Sequence, residues 1–470
     1  MKREETINFF VQEAKKDFSK VTENTQKIIS EIQVSEKKKL NYIEEFDGRG
    51  VLLQLKELKK WDEAKKKKAK LFGVPITVKD CICVKGIESK AGSRILKGYK
   101  PLFDATVIAR ARKEGAIIIA KTTQDEFGFG TFSTNTEKVP KNPFNNERSC
   151  GGSSGGAAGF TSYTKSFHIA LGQSTGGSIA CPASFCGATG LTPTYGLVSR
   201  YGLIDYANSL DKIGAIGRNT EDAALLLEAI AGKDEMDSTT VDAGFVANEG
   251  AIKKVALITD FFENCDEKVQ KAAAEKIKKL KEYFEIEEVS LPLNVKYSLA
   301  TYYIIATSEA STNLAKLSGL RYGAQGEVEG KHFDEYFSEI RSTNFSDEAK
   351  RRIILGTFAR MSGYRDAYYL KAMKVRTKLI NEFNSAFKKY DLLLNPTMPV
   401  VAPKFSEIEK LTPLQNYAMD LCTVPANLAG LPHISCNAGF VNGMPVGLMA
   451  TAPHLKERNL ISFGKVMELE

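Results

Sequence analysis

GGSSGGAAGFTSYTKSFHIALGQSTGGSIACPASFCGATG, residues 151–190, sets two clusters of small and hydroxylated residues around a short apolar run. Glycine at this density is costly, because each one gives up more backbone freedom on folding than any other residue does. Something must therefore approach the backbone closely here. A flexible glycine/serine tether is the bland alternative, but Phe160, Phe167, Ile169, Leu171, Ile179 and Phe185 interleave with the small residues, and tethers lack such residues. The stretch reads as packed loop and turn and as the candidate active site.

Outward from it the chain alternates. On the N-terminal side, LFGVPITVKDCICVKG (71–86) holds a strand-like alternation that ends near Lys79, bracketed by Pro75 and Gly86. DATVIARARKEGAIIIAKTT (104–123) predicts an amphipathic helix, a stop at Gly115 and an apolar strand from Ala116 to Ala120, which is an α/β rhythm. On the C-terminal side, KKVALITDF, EKVQKAAAEKIKKLKEYF and EIEEVSLP (253–292) repeat strand, helix and strand, as a right-handed parallel crossover requires. Residues 296–390 read as mainly helical, and DLLLNPTMPVVAP (391–403) as a buried strand ended by prolines. Asn442 and Gly443 between two apolar runs signal a hairpin. Residues 1–70 carry apolar positions three and four apart, predicting a helical layer packed on an α/β domain spanning 71–470. The expected fold is thus α/β, a single large mixed sheet covered by helices on both faces.

Composition narrows the class. At 470 residues with 43% hydrophobic and 26% charged residues, the chain has the makeup of a soluble globular protein. MKREETINFFVQEAKKD puts charges where a secretory segment needs an apolar run, and no apolar run of about 18 residues occurs to cross a membrane. A cytoplasmic location is expected. The eight cysteines form no CxxC pair and no zinc-like Cys/His spacing, so they read as reduced core thiols with no metal site. The net charge of +8 is modest, and the run Lys65 to Lys68 reads as a solvated helix face.

Several chemistries fit the central stretch poorly. Residues 151–155 formally match G-x-S-x-G, the elbow that presents a serine to a histidine base. Yet the chain has only His168, His332, His433 and His454, and none sits in a catalytic context; His168, inside SFHIAL, reads as a core histidine. No G-x-x-x-x-G-K-[ST] occurs for phosphate binding. A serine mechanism without histidine needs another base, and a lysine serves once burial disfavours its charged form. Lys79, at the end of an apolar strand, is the candidate. The turn from Ser174 to Ser178 precedes the apolar run ACPASF, so it can aim several N–H groups at one developing oxyanion. Ser178 stands where a nucleophile would.

Lys79, GGSSGG and STGGSIACPASFCG together resemble the amidase signature family. GLTPTYGLVSRYGLIDYANSLDKIG, SEASTNLAKLSGLRYG, RRIILGTFARMSGYRDAYY and NLAGLP narrow the likeness to the A subunits of tRNA-dependent amidotransferases. It runs from about residue 71 to the C-terminus. The resemblance implies Ser178 as nucleophile, Ser154 as the bridging serine held by a cis peptide bond, and Lys79 as base. It implies an oxyanion hole from the N–H groups of Thr175, Gly176, Gly177 and Ser178, and glutamine-binding roles for Tyr303, Arg352 and Asp420. It further implies ammonia transfer to a tRNA-binding kinase and transamidase subunit that uses ATP and magnesium on misacylated tRNA. A small stabilising subunit completes the expected complex, and this chain itself is expected to need no cofactor. The family pattern S-D-T-G-G-S-I-R has an Asp and an Arg where this chain has Ser174 and Ala180, which suggests loss of a structural ion pair. The rival readings are a stand-alone amidase acting on small amides and a catalytically silent scaffold.

Overall fold

Runs rich in Ile, Val and Thr, which suit a pleated and buried backbone, become central strands. In the computed structural model, which describes residues 6–469, the strands are β1 (Ile43–Phe46), β2 (Pro75–Lys79), β3 (Ile117–Thr122), β4 (Lys141–Asn142), β5 (Asn145–Ser149), β6 (Ile169–Ser174) and β7 (Thr189–Thr192). They continue with β8 (Lys212–Gly217), β9 (Lys254–Ile258), β10 (Glu285–Val289), β11 (Leu392–Pro396), β12 (His433–Val441) and β13 (Met444–Thr451). Eleven of them form one sheet in the order β1-β3-β2-β6-β8-β7-β12-β13-β11-β9-β10, and β4 pairs with β5 separately. The sheet is mixed: β2 runs parallel to β3 and β6, and β9 parallel to β10 and β11, while the pairs between those groups are antiparallel. The expected single mixed sheet is borne out.

Helices cover both faces, as neighbouring residues of β12 show. Successive strand residues point to opposite sides. Ser435 bonds Thr397 on the side where Ser184 of the helix Ala180–Cys186 lies against Gly447, whereas Ile434 packs against Gly464 of the helix Glu457–Leu469. Asn442 and Gly443 take positive φ angles of 51° and 75° between β12 and β13, as the hairpin signal requires. The segment between residues 292 and 386 is largely helical, through Pro292–Asn313, Phe333–Asn344, Asp347–Arg360 and Lys371–Ala386.

Residues 6–70 are not helical throughout. Between the helices Phe18–Lys37 and Gly48–Lys59, β1 pairs antiparallel with β3, Ile43 opposite Thr122 and Phe46 opposite Ala120. The four-residue IEEF is too short and too charged to announce a strand; pairing with the sheet edge makes it one. The helix Ile7–Lys16 is tied to the main body where Asp222 Oδ1 accepts from Ile7 N at 2.7 Å. Among the described residues, all eight cysteines are buried and unpaired by disulfide, and no helix is long and apolar enough to cross a membrane.

Candidate active site

The parallel pairing of β2 with β6, Ile76 opposite Ile169 and Val78 opposite Leu171, sets their carboxyl ends side by side. Lys79 closes β2, and Gln173 and Ser174 close β6. Open α/β sheets place ligands at such carboxyl ends. Lys79 is fully buried, and its Nζ contacts Ser153 Oγ at 2.7 Å, Gln173 O at 2.8 Å and Gln173 Oε1 at 3.1 Å. Burial pulls its proton affinity down to about 8, against the opposing pull of Cys81, Asp125 and Asp211. An amine so poised is a workable base near neutral pH.

The hydroxyl on Lys79 belongs to Ser153, which corrects the expectation for Ser154. The cis peptide bond is Gly152–Ser153, one residue earlier than expected. Ser154 instead precedes the helix Gly155–Tyr163, donates from Oγ to Gln173 O at 3.2 Å and from N to Ser178 O at 3.2 Å. Two adjacent serines face different ways, and only the chain path through the turn decides which meets the lysine. Close approach explains Gly152: a Cβ there would lie 2.3 Å from Asp125 Oδ2.

Ser178 lies in the turn between β6 and the helix Ala180–Cys186, 7% exposed, and its hydroxyl bonds no other described residue. The N–H groups of Thr175, Gly176, Gly177 and Ser178 likewise donate to no described residue, although buried N–H groups nearly always find partners. Four free donors in sequence beside a free hydroxyl make a place for a developing oxyanion. The turn is enclosed from outside: a Cβ on Gly176 would fall 2.6 Å from the Tyr302 hydroxyl oxygen, and one on Gly177 2.2 Å from Thr423 Oγ1.

Tyr303, Arg352 and Asp420, far apart in sequence, meet beside this turn. Tyr303 donates from its hydroxyl to Asp420 Oδ2 at 2.7 Å, and the Arg352 guanidinium lies 5.4 Å from the Tyr303 ring centre. Burial pushes the Asp420 carboxyl up to about 6, despite donors from Tyr303 and Thr131. Four residues that the sequence reading missed complete the cluster. Thr131 donates to Asp420 Oδ1 at 3.0 Å; Tyr206 accepts from Arg352 at 2.6 Å; Glu348 accepts from Arg352 Nε at 2.7 Å; and Tyr417 stacks on Tyr303 with ring centres 4.1 Å apart. The E-x-x-x-R spacing of Glu348 and Arg352 on one helix was the available signal, since residues four apart are neighbours on a helix face. Asp125 was missed as well. It is buried after β3, accepts from the amides of Ser133 and Asn135, and burial raises it to about 6.

The departures at Ser174 and Ala180 leave no gap. Ser174 donates to Asn427 Oδ1 at 3.2 Å, and Ala180 packs with Ala426 and Met449. Among the described residues no histidine bonds Ser153, Ser154 or Ser178: His168 bonds Thr77 at 2.9 Å, meets Phe160 edge-on and is pushed down by burial to about 3, while His433 and His454 bond the main-chain oxygens of Leu431 and Ala429. Among the described residues no group of three or more His, Cys, Asp or Glu could hold a metal ion.

Known proteins share this arrangement of chain. Residues 23–461 match the family model described as Amidase, a match that starts inside the N-terminal helices. The chain is 48% identical to the A subunit of the glutamyl-tRNA(Gln) amidotransferase of Archaeoglobus fulgidus, over 87% of this chain and 89% of that protein. Identity to the protein of the same name from Exiguobacterium sibiricum is 43%, covering 93% and 94%. The crystal structure of its namesake from Thermotoga maritima superposes with a TM-score of 0.70 at 37% identity, covering 88% and 89%. A 6-aminohexanoate cyclic dimer hydrolase shares the fold at 19% identity, with a TM-score of 0.81. The chain belongs to the amidase family, and within it to the glutamyl-tRNA(Gln) amidotransferase A subunits.

Proposed function

We propose that the chain is the glutaminase subunit of a tRNA-dependent amidotransferase, hydrolysing glutamine to supply ammonia for amidation of Glu-tRNA(Gln), Asp-tRNA(Asn) or both. The observation that carries the chemistry is the contact of buried Lys79 with Ser153 beside a turn whose hydroxyl and four N–H groups are free. In the cycle, Ser178 Oγ attacks the side-chain carbonyl carbon of glutamine. Its proton passes to Ser153 as Ser153 gives its own to neutral Lys79. The N–H groups of residues 175–178 hold the oxyanion. Lys79 then returns the proton through Ser153 to the departing nitrogen, ammonia leaves, and water attacks the acyl-enzyme with the same relay as base, releasing glutamate and restoring Ser178. Tyr303, Arg352 and Asp420 receive the α-amino and α-carboxylate groups: Asp420 suits the ammonium and Arg352 the carboxylate.

Ammonia is consumed by a tRNA-binding kinase and transamidase subunit, which holds the misacylated tRNA and uses ATP and magnesium, and a small subunit stabilises the assembly. This chain needs no cofactor of its own and works in the cytoplasm. Relatives named as amidotransferase subunits along nearly their whole length support this reading over a free amidase. In the assembled complex, Ser178→Ala is expected to abolish transamidation driven by glutamine and to spare transamidation driven by ammonium. Equal loss of both activities overturns the assignment, and full amidase activity of the lone chain on many small amides favours the free amidase.

A further inference from the structure

Gln173 does more than end a strand. Its main-chain O and its side-chain Oε1 both accept from Lys79 Nζ, at 2.8 and 3.1 Å, while Ser153 Oγ sits at 2.7 Å. The amide cannot face the other way. Its Nε2 lies 3.0 Å from Asp211 Oδ1 and 2.8 Å from Thr175 Oγ1, and Thr175 itself donates to the same carboxylate oxygen at 2.7 Å. Asp211 Oδ2 is meanwhile taken by the amides of Tyr206 and Ala207, both at 2.9 Å. Burial raises Asp211 to about 7, but Thr175 Oγ1 and the amides of Tyr206 and Ala207 all donate to its two oxygens and favour the ionised form, which only accepts. The amide nitrogen therefore faces Asp211 and the amide oxygen faces lysine. Gln173 and Asp211 are both buried, and Gly128 lies against the amide: a Cβ added there would fall 3.5 Å from Gln173 Oε1.

A neutral amine has two N–H bonds and one lone pair. When both N–H bonds point at the two oxygens of Gln173, the lone pair is left facing the Ser153 hydroxyl, which is the orientation for taking its proton. We propose that Gln173, with its side-chain amide locked by Asp211 and Thr175, is a positioning residue that aims the Lys79 lone pair at Ser153. This role presupposes Lys79 as the base of the proposed function. Once Lys79 is protonated, Gln173 Oε1 also accepts from the ammonium and so raises its proton affinity. The other titratable groups facing Nζ are Cys81 just beyond β2, Asp125 after β3 and Asp211 ahead of β8. Burial pushes the Cys81 thiol up to about 12, so it stays protonated in the working range.

The test is the pH profile of glutaminase kcat/KM in the assembled complex, whose acid limb reports the free enzyme's base. Gln173→Met keeps the size and removes the acceptor, so kcat is expected to fall about tenfold with KM little changed, and the limb to move down by about one pH unit. Gln173→Glu combined with Asp211→Asn keeps a donor facing residue 173 and moves the carboxylate to the position beside Nζ, and the limb is expected to move up by about one unit or more. Opposite movements in the two variants are what a merely structural role would not produce. An unmoved limb in both variants, or a fall in kcat that only tracks a lower Tm, overturns the role. Should one variant fail to fold, the other decides by the same criterion. Should both fail, Thr175→Val decides: it removes one anchor of the amide without changing charge, and is expected to lower kcat and move the limb down, an unmoved limb overturning the role. Lys79→Arg separates the two readings. Activity in Lys79→Arg removes lysine as the base, whereas a dead Lys79→Arg with unmoved Gln173 limbs removes only Gln173.

Discussion

At the scale of single residues, the deciding fact is that Ser153 and Ser154, identical and adjacent, occupy different environments. Ser153 has its hydroxyl on Lys79, while Ser154 spends its hydroxyl on Gln173 O and its amide on Ser178 O. Ser153→Ala is therefore expected to cut glutamine-dependent kcat by about a hundredfold or more, the usual worth of a proton-transfer group. Ser154→Ala removes one ordinary hydrogen bond and should cost about tenfold or less. Steady-state kinetics of both variants checks the ranking, and the reverse order would return the relay to Ser154. The chemistry of residue types was legible before the fold: a lysine in an apolar strand and a hydroxylated glycine turn. Which of two serines faced the lysine was not, because a glycine-rich turn of unknown path offers no periodicity from which side-chain direction can be read.

Among the elements, the strands and helices that sequence patterns announced are those that bury a continuous apolar face, such as β3, β11 and the helix Glu267–Leu280. β1 escaped, since its pairing partner lies about 75 residues away and its own residues are half charged. The docking of the first helix was equally hidden. It depends on Asp222, which accepts from Ile7 N and from Asn219 Nδ2, both at 2.7 Å. Asp222→Ala leaves both donors buried without that acceptor, at a cost of about 1 to 3 kcal/mol. The helix Ile7–Lys16 is then expected to exchange its amide hydrogens faster by a factor of about ten or more while β2 and β6 stay protected. Hydrogen exchange followed by mass spectrometry reads this directly, and unchanged protection of that helix would mean that its apolar contacts hold it alone.

For the molecule as a whole, one sheet joins the strands of the chain's first half to those of its second through the pairing of β7 with β12. The layer expected over residues 1–70 contributes, within the described residues 6–70, a strand to that sheet. β1 covers the edge of β3, and Tyr42, fully buried, packs its ring near Phe160 and Tyr163. A chain reduced to 71–470 would expose an apolar strand edge, a template for aggregation. Its expression is expected to give little soluble monomer, as size-exclusion chromatography would reveal, and a stable, active monomer would show the N-terminal segment to be dispensable.

What the sequence alone determined is local or compositional: α/β alternation from apolar periodicity, the Asn442–Gly443 hairpin from turn chemistry, and a serine and lysine candidate site from a turn rich in small residues. Tyr303, Arg352 and Asp420 were legible as a group only through family likeness, for the local spacing of Glu348 and Arg352 marks a helix face and nothing local marks the other two. The tertiary structure alone decided the register of β2 against β6, the choice of Ser153, the clamp of Asp211 on Gln173, and the meeting of Tyr303, Arg352 and Asp420. Each of these joins segments tens to hundreds of residues apart, and such contacts exist only once burial of the shared sheet has brought the carboxyl ends of its strands together.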